Sequence, residues 1–62
     1  MRGDGFVIAV IEDEELIRKS LVMNLELEGF KVITASDGEE GVTLINQHKP
    51  KLIIIHVVMH RQ

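Results

Sequence analysis

The sequence predicts a small α/β domain in which three parallel strands alternate with two helices. Short apolar segments rich in β-branched residues are typical of strands, and they occupy Phe6–Ile11, Phe30–Ala35 and Lys51–His60. The two segments between these strands are predicted to be helices, because one has apolar residues at helical spacing and the other begins with residues that cap helices. Strands that alternate with helices favour parallel pairing through right-handed crossovers, and 62 residues form one domain at most, residues 1–62.

The first strand is predicted to end at Ile11, where an acidic cluster begins. Over residues 14–28 the apolar side chains recur about every four positions, which indicates a surface helix with one apolar face. The residues of that face are Leu16, Ile17, Leu21 and Leu25. Gly29 is the expected end of this helix, because glycine readily adopts the left-handed backbone conformation of a helix C-terminus.

The second strand alternates apolar and more polar residues, which is typical of an edge strand. Ser36 and Glu39 then match a capping box, which predicts a second helix that runs to about His48. Its apolar face is thin and consists of Val42, Leu44 and Ile45. Gly41 inside this helix costs roughly 1 kcal/mol relative to alanine. Pro50 separates the helix from the third strand.

The third strand is the most apolar segment, which predicts a buried parallel strand with a neighbour on each side. The chain supplies only one of these neighbours, so we expect the other to come from a second copy of the chain. Two third strands that pair about a twofold axis run antiparallel and form a six-stranded sheet. Exchange of the strand between the two copies is the alternative route.

Composition excludes several classes of function. The net charge of −3, without a basic stripe, disfavours nucleic-acid binding. The absence of cysteine excludes thiol chemistry and cysteine-bound zinc, and it fits a cytoplasmic location. The apolar run of the first strand is too short for a signal peptide or a membrane span, so no membrane partner is expected.

Four segments resemble the receiver domain of bacterial response regulators, and they are Val7–Glu14, Leu27–Phe30, Ala35–Glu40 and Pro50–Ile55. The resemblance covers nearly the whole chain but only the first half of that domain. The family's fold is a flavodoxin-like doubly wound parallel sheet with the strand order 2-1-3-4-5. The resemblance therefore implies the order 2-1-3 for the three strands of this chain.

The resemblance also implies a site. Receiver domains bind a divalent cation, normally Mg²⁺, with an acidic pair after the first strand, and Glu12 and Asp13 match that pair. They accept a phosphoryl group on an aspartate at the end of the third strand, where this chain has His56. Two further departures lie nearby, His60 in place of a usual proline and Lys51 in place of a frequent acid. An aspartyl phosphate requires a carboxylate nucleophile, so receiver-type phosphotransfer is not expected.

The residues themselves leave two interpretations of this cluster open. Parallel pairing brings Glu12, Asp13 and His56 together, and an imidazole among carboxylates shifts the preference from Mg²⁺ toward Zn²⁺, Ni²⁺, Co²⁺ or Cu²⁺. His60 joins them only if the chain turns back. Alternatively, the acids only stabilise a helix N-terminus and His56 is a neutral, hydrogen-bonded residue. His48 at a helix end is expected to be solvated.

Our first functional interpretation is a non-catalytic, receiver-derived half-domain that self-associates through its third strand, with divalent metal binding at Glu12, Asp13 and His56. An engineered or selected fragment would have these properties. The alternative is a degenerate receiver that binds a signalling partner without being phosphorylated. An enzyme is not expected, because no serine, cysteine or threonine is placed as a nucleophile and no glycine-rich phosphate loop follows the first strand.

Overall fold

The computed structural model describes residues 6–56 and has the predicted order of elements. The elements are β1 (Val7–Glu12), α1 (Glu15–Leu27), β2 (Lys31–Ala35), α2 (Gly38–His48) and β3 (Leu52–His56). The three strands form one parallel sheet in the order β2-β1-β3. This order confirms the predicted half of a flavodoxin-like, doubly wound sheet.

The central strand β1 carries most of the core. Both helices pack on β1 and β2, and within the described residues neither contacts β3 or the other helix. The β1-to-β2 and β2-to-β3 crossovers run in opposite directions across the sheet, and because such crossovers are right-handed, the two helices lie on opposite faces. Both faces of β1 are therefore covered, and the buried apolar residues of the described chain are Ile8, Ala9, Val10, Ile11 and Ala35.

Helix α1 begins without a side-chain cap. Its N-cap residue is Glu14, whose side chain makes no capping hydrogen bond. Instead, the Glu14 backbone N–H donates to Oε2 of Glu12 at 2.8 Å. The predicted apolar face was wrong at Leu16, whose exposed fraction is 80%, because α1 turns this residue away from the sheet.

Helix α1 ends at the predicted glycine. Gly29 has a φ of 95°, which is costly for any residue with a Cβ. Its N–H donates to Glu26 O at 3.0 Å, and the N–H of Phe30 donates to Leu25 O at 3.2 Å, which is the Schellman pattern. The ring of Phe30 packs edge-to-face on that of Phe6, with 5.5 Å between centroids. The two rings lie at the amino ends of β1 and β2.

The capping box of α2 lies one residue later than predicted. The N-cap residue is Asp37, whose side chain accepts from the Glu40 N–H at 2.8 Å. Glu40 in turn accepts hydrogen bonds from the backbone N–H and the hydroxyl of Ser36, at 2.9 and 2.8 Å. These two bonds hold the pKa of Glu40 below its ordinary value. The predicted pair of Ser36 and Glu39 was wrong because aspartate and serine cap helices equally well.

Gly41 is where α2 comes closest to the sheet. A Cβ at this position would lie 2.6 Å from Cδ1 and 3.1 Å from Cγ1 of the buried Ile11. The residue therefore has a packing role that outweighs its poor helix propensity. The neighbouring Val42 is 60% exposed, so the apolar face predicted for α2 was wrong at this position.

Replacing Gly41 with alanine is expected to destabilise the chain. Alanine gains roughly 1 kcal/mol of helix propensity, but overpacking against Ile11 costs about 1–3 kcal/mol. We expect a net loss of about 1 kcal/mol from these two terms in urea denaturation. Gly38→Ala is the matched control, since no atom lies within 4 Å of its added Cβ. The double variant with Ile11→Val should recover part of the loss, and a stabilising Gly41→Ala would contradict the close approach.

Strand β3 is hydrogen-bonded to β1 along one edge, and it is the edge strand of the described sheet. Three of its four apolar side chains are exposed in the single chain: Leu52 by 48%, Ile53 by 40% and Ile55 by 66%. The rest of the predicted apolar run, residues 57–60, lies outside the described part of the chain. Within residues 6–56, no helix has the length and apolar character needed to cross a membrane.

Candidate functional site

The candidate site lies at the carboxyl ends of β1 and β3. Glu12 is the last residue of β1, His56 is the last residue of β3, and the parallel register pairs them directly. Ligands of open α/β sheets bind at this edge. The two residues are 44 positions apart in sequence, so their side chains meet only because of the βαβαβ topology.

The carboxylate of Glu12 is completely buried, and each of its two oxygens has a hydrogen-bond partner. Oε2 accepts from the backbone N–H of Glu14, and Oε1 is hydrogen-bonded to Nδ1 of His56. Burial by itself raises the pKa of Glu12, but the Glu14 amide and the contacts with His56 and Asp13 lower it by more. The net pKa lies below the ordinary value, so the folded chain holds Glu12 as a carboxylate.

The imidazole of His56 is hydrogen-bonded through one of its two ring nitrogens. An ionised carboxylate only accepts hydrogen bonds, so Nδ1 must be the donor in its contact with Glu12. The hydrogen bond to Glu12 and its negative charge raise the pKa of His56 above its ordinary value. The His56 side chain is 54% exposed. Among residues 6–56, no side chain is hydrogen-bonded to its second ring nitrogen, Nε2.

Asp13 is exposed and follows Glu12 directly, and its charge also acts on His56 in the direction that raises the pKa. Sequence reasoning missed Arg18. From the first turns of α1 its guanidinium donates to the backbone oxygen of Glu12 at 2.9 Å, and its charge lowers the pKa of Glu40. A basic residue one helical turn after an acidic cluster was the available signal.

The donor set does not fit Mg²⁺. This ion prefers an octahedral set of oxygen ligands. Both carboxylate oxygens of Glu12 already have hydrogen-bond partners within the chain, and the third residue of the predicted site, His56, offers an imidazole nitrogen. Across residues 6–56, no three or more histidine, aspartate or glutamate side chains are arranged to hold a metal ion together. The predicted metal role of Glu12, Asp13 and His56 therefore stays a prediction.

His48 does not join this site. His48 ends α2 and lines an apolar concavity of about 490 Å³ beside Val7 and Phe30, near the amino ends of β1 and β2. This concavity is far from the sheet edge at which doubly wound domains bind ligands. His60 lies outside the described residues.

The strand order, the crossovers and the acidic residues after β1 define the first half of a receiver-type doubly wound domain. The family profile of the response regulator receiver domain matches residues 8–62, which is most of the chain. The chain therefore belongs to the receiver domain family of two-component response regulators, as the sequence resemblance implied.

Several curated relatives are similar to the chain. The alkaline phosphatase synthesis transcriptional regulatory protein PhoP of Bacillus subtilis is 48% identical over 84% of this chain and 22% of its own length. The transcriptional regulatory protein PdtaR of Mycobacterium tuberculosis is 43% identical over 89% of this chain and 27% of its own. The probable transcriptional regulator ycf27 of Guillardia theta is 40% identical over 84% and 20%.

The chain thus spans only about a fifth to a quarter of the length of these relatives. No solved structure matches it.

Proposed function

We propose that the chain acts as a receiver-type signalling module that binds a partner protein and does not form an aspartyl phosphate. The single observation that carries this proposal is the pairing of His56 with Glu12 at the end of β3. His56 occupies the position that the family resemblance assigns to the phosphoacceptor aspartate. An imidazole cannot form the acyl phosphate of that reaction.

Local charge also disfavours a phosphoryl group at this position. Glu12 and Asp13 precede two more acids, Glu14 and Glu15, at the start of α1. A dianionic phosphoryl group on His56 would lie close to the carboxylate of Glu12, which is hydrogen-bonded to the same ring, and like charges repel. The nearby guanidinium of Arg18 is already hydrogen-bonded to the backbone of Glu12. Residues 6–56 therefore do not give the site the cationic surroundings that stabilise phosphoryl transfer.

The experiment is incubation of the chain with acetyl phosphate or phosphoramidate and Mg²⁺, followed by intact mass spectrometry. We expect no mass increase. A receiver domain that has an aspartate at the acceptor position serves as the positive control for the donor. A stable phosphoryl adduct on the chain would overturn the proposal, and the His56→Ala variant would show whether the adduct lies on His56 or on another residue.

We propose further that the chain binds a second copy of itself through β3. The observation that favours this partner is the exposed apolar edge of Leu52, Ile53 and Ile55. The segment between Leu52 and Ile55 carries no charged residue, and uncharged edge strands readily accept another strand. In the receiver family this edge is covered by the second half of the domain, so the surface is suited to strand addition.

The β3 edge is also complementary to itself. An antiparallel pairing of two copies about a twofold axis at Ile54 sets Ile53 of one copy opposite Ile55 of the other. All three central cross-strand pairs are then isoleucine pairs, which stabilise sheets. The product is the six-stranded sheet expected from the sequence, and strand exchange would bury the same side chains.

A further inference from the structure

The outer edge of β2 is the second open edge of the described sheet. Within residues 6–56, β2 pairs with β1 alone, and no strand lies on its far side. The backbone N–H of Lys31 donates to the carbonyl oxygen of Phe6, just before β1, and successive strand residues direct their peptide groups to alternate edges. Val32 and Thr34 therefore direct their N–H and C=O groups away from β1. Such a row of peptide groups pairs with an extended chain.

A groove runs along this edge. One part of it is a concavity of about 480 Å³ between α1 and β2, whose apolar lining is Val22, Met23 and Val32. The concavity of about 490 Å³ beside Phe30 continues it toward the amino end of β2, and the two parts share Val32 and Glu26. Met23 is 60% exposed, although it is a large apolar residue. The side chains of an added strand would find apolar contacts in this groove.

Charge along the groove favours an acidic ligand. Among residues 6–56, the cations Arg18 and Lys19 line it beside Thr34, and Lys31 lines it near the amino end of β2. Glu26 is the acid of the lining. The groove is therefore locally positive on a chain whose net charge is −3. Opposite charge across an interface steers association and selects the partner.

The two cations beside Thr34 can accept such a ligand. Arg18 donates from one terminal nitrogen to the backbone oxygen of Glu12, but a guanidinium has several N–H donors and can bind a second acceptor. Lys19 lies 3.3 Å from Glu15 in an ion pair in which both side chains are exposed. Exposed pairs of this kind are weak. An incoming carboxylate can therefore compete for Lys19.

We propose that the outer edge of β2 binds an extended, acidic peptide segment of a partner protein by strand addition. The added strand hydrogen-bonds to Val32 and Thr34, packs an apolar side chain on Met23 and places a carboxylate beside Arg18 and Lys19. This inference rests on the proposed function, because it gives the partner-binding module a surface and a class of partner. The surface is separate from the Glu12–His56 pair and from the edge of β3.

The test is an NMR titration of the ¹⁵N-labelled, full 62-residue chain with the peptide Thr-Val-Thr-Val-Glu-Glu. We expect the amide signals of Val32 and Thr34 to shift and their exchange with solvent to slow. A form of the peptide that is N-methylated at its threonine and valine residues cannot donate these hydrogen bonds and should not bind. The peptide Thr-Val-Thr-Val-Lys-Lys is the control for charge and should bind more weakly.

Variants of the chain test the same contacts from the other side. Thr34→Pro removes an N–H that takes no part in the pairing with β1, and edge strands tolerate proline. It should lower the affinity for the acidic peptide at least about tenfold, because a hydrogen bond is lost and a backbone acceptor is left unpaired. Lys19→Glu should lower the affinity by about two- to fivefold. The matched control is Lys51→Glu, which makes the same change at an exposed lysine outside the groove and should leave the affinity unchanged.

Several results would overturn the proposal: equal binding of the N-methylated peptide, equal losses in the two lysine variants, or shifts confined to β3. Slow exchange at Val32 and Thr34 without peptide that disappears on dilution would also overturn it, since a second copy would then occupy the edge. If Thr34→Pro is unfolded, the N-methylated peptide decides the question. A phosphoryl adduct or a monomeric chain would contradict the proposed function without changing the signals of β2, so the two failures are distinguishable.

Discussion

Replacing Ile8 with alanine is expected to remove most or all of the stability of the folded chain. Ile8 is 1% exposed near the amino end of the central strand β1, which is covered on both faces. Truncation of a buried isoleucine costs about 2–5 kcal/mol through lost burial and the cavity that remains. A single core in a chain below about 70 residues rarely supplies more than about 3–5 kcal/mol. Urea denaturation followed by circular dichroism measures the change.

The control for this prediction is Leu16→Ala. Leu16 is also a large aliphatic residue, but it is 80% exposed on α1. Surface substitutions of this kind usually change stability by no more than about 0.5 kcal/mol. The two variants thus compare similar chemical changes at opposite extremes of burial. Similar losses in both would mean that β1 is not the centre of the core.

Replacing Ile55 with lysine is expected to convert a dimer into a monomer. Each isoleucine buried in the paired edge contributes about 1.5–3 kcal/mol, and a symmetric dimer loses two of them. The combined loss of about 3–6 kcal/mol weakens the dimer at least about a hundredfold. Light scattering over a range of chain concentrations should report the mass of two chains for the wild type and of one chain for the variant.

Leu16→Lys is the matched control, since it places the same charge at another exposed apolar position. It should leave the mass unchanged. Because association stabilises the folded chain by mass action, the melting temperature of the wild type should rise with concentration and that of Ile55→Lys should not. A wild-type chain that is monomeric and melts cooperatively at micromolar concentration would rule out self-association through β3.

The sequence predicted the elements and their order because those signals are local. Gly29 was identified as a helix end from its residue type alone, and its positive φ confirms the prediction. The three apolar segments were identified by their β-branched residues, and the crossover rule then gave parallel pairing. Errors fell where two local signals compete, as at Ser36 and Asp37, which are both good caps.

The site was predictable only in part. The family resemblance assigned Glu12 and His56 to neighbouring positions, and the register pairs them. Sequence alone gave no means to foresee that the carboxylate oxygens of Glu12 would both be occupied, or that Arg18 would reach back to its backbone. These contacts depend on side-chain directions at the ends of three different elements.

The amino-acid sequence by itself determined the βαβαβ order, the turn residues and the acidic and imidazole groups at one edge of the sheet, since each follows from periodicity or residue type. Tertiary structure alone decided which apolar residues face the core, why Gly41 must lack a side chain, and that Glu12 holds the ring of His56. The physical reason is distance along the chain: side chains 44 residues apart interact only after the strands have paired in register.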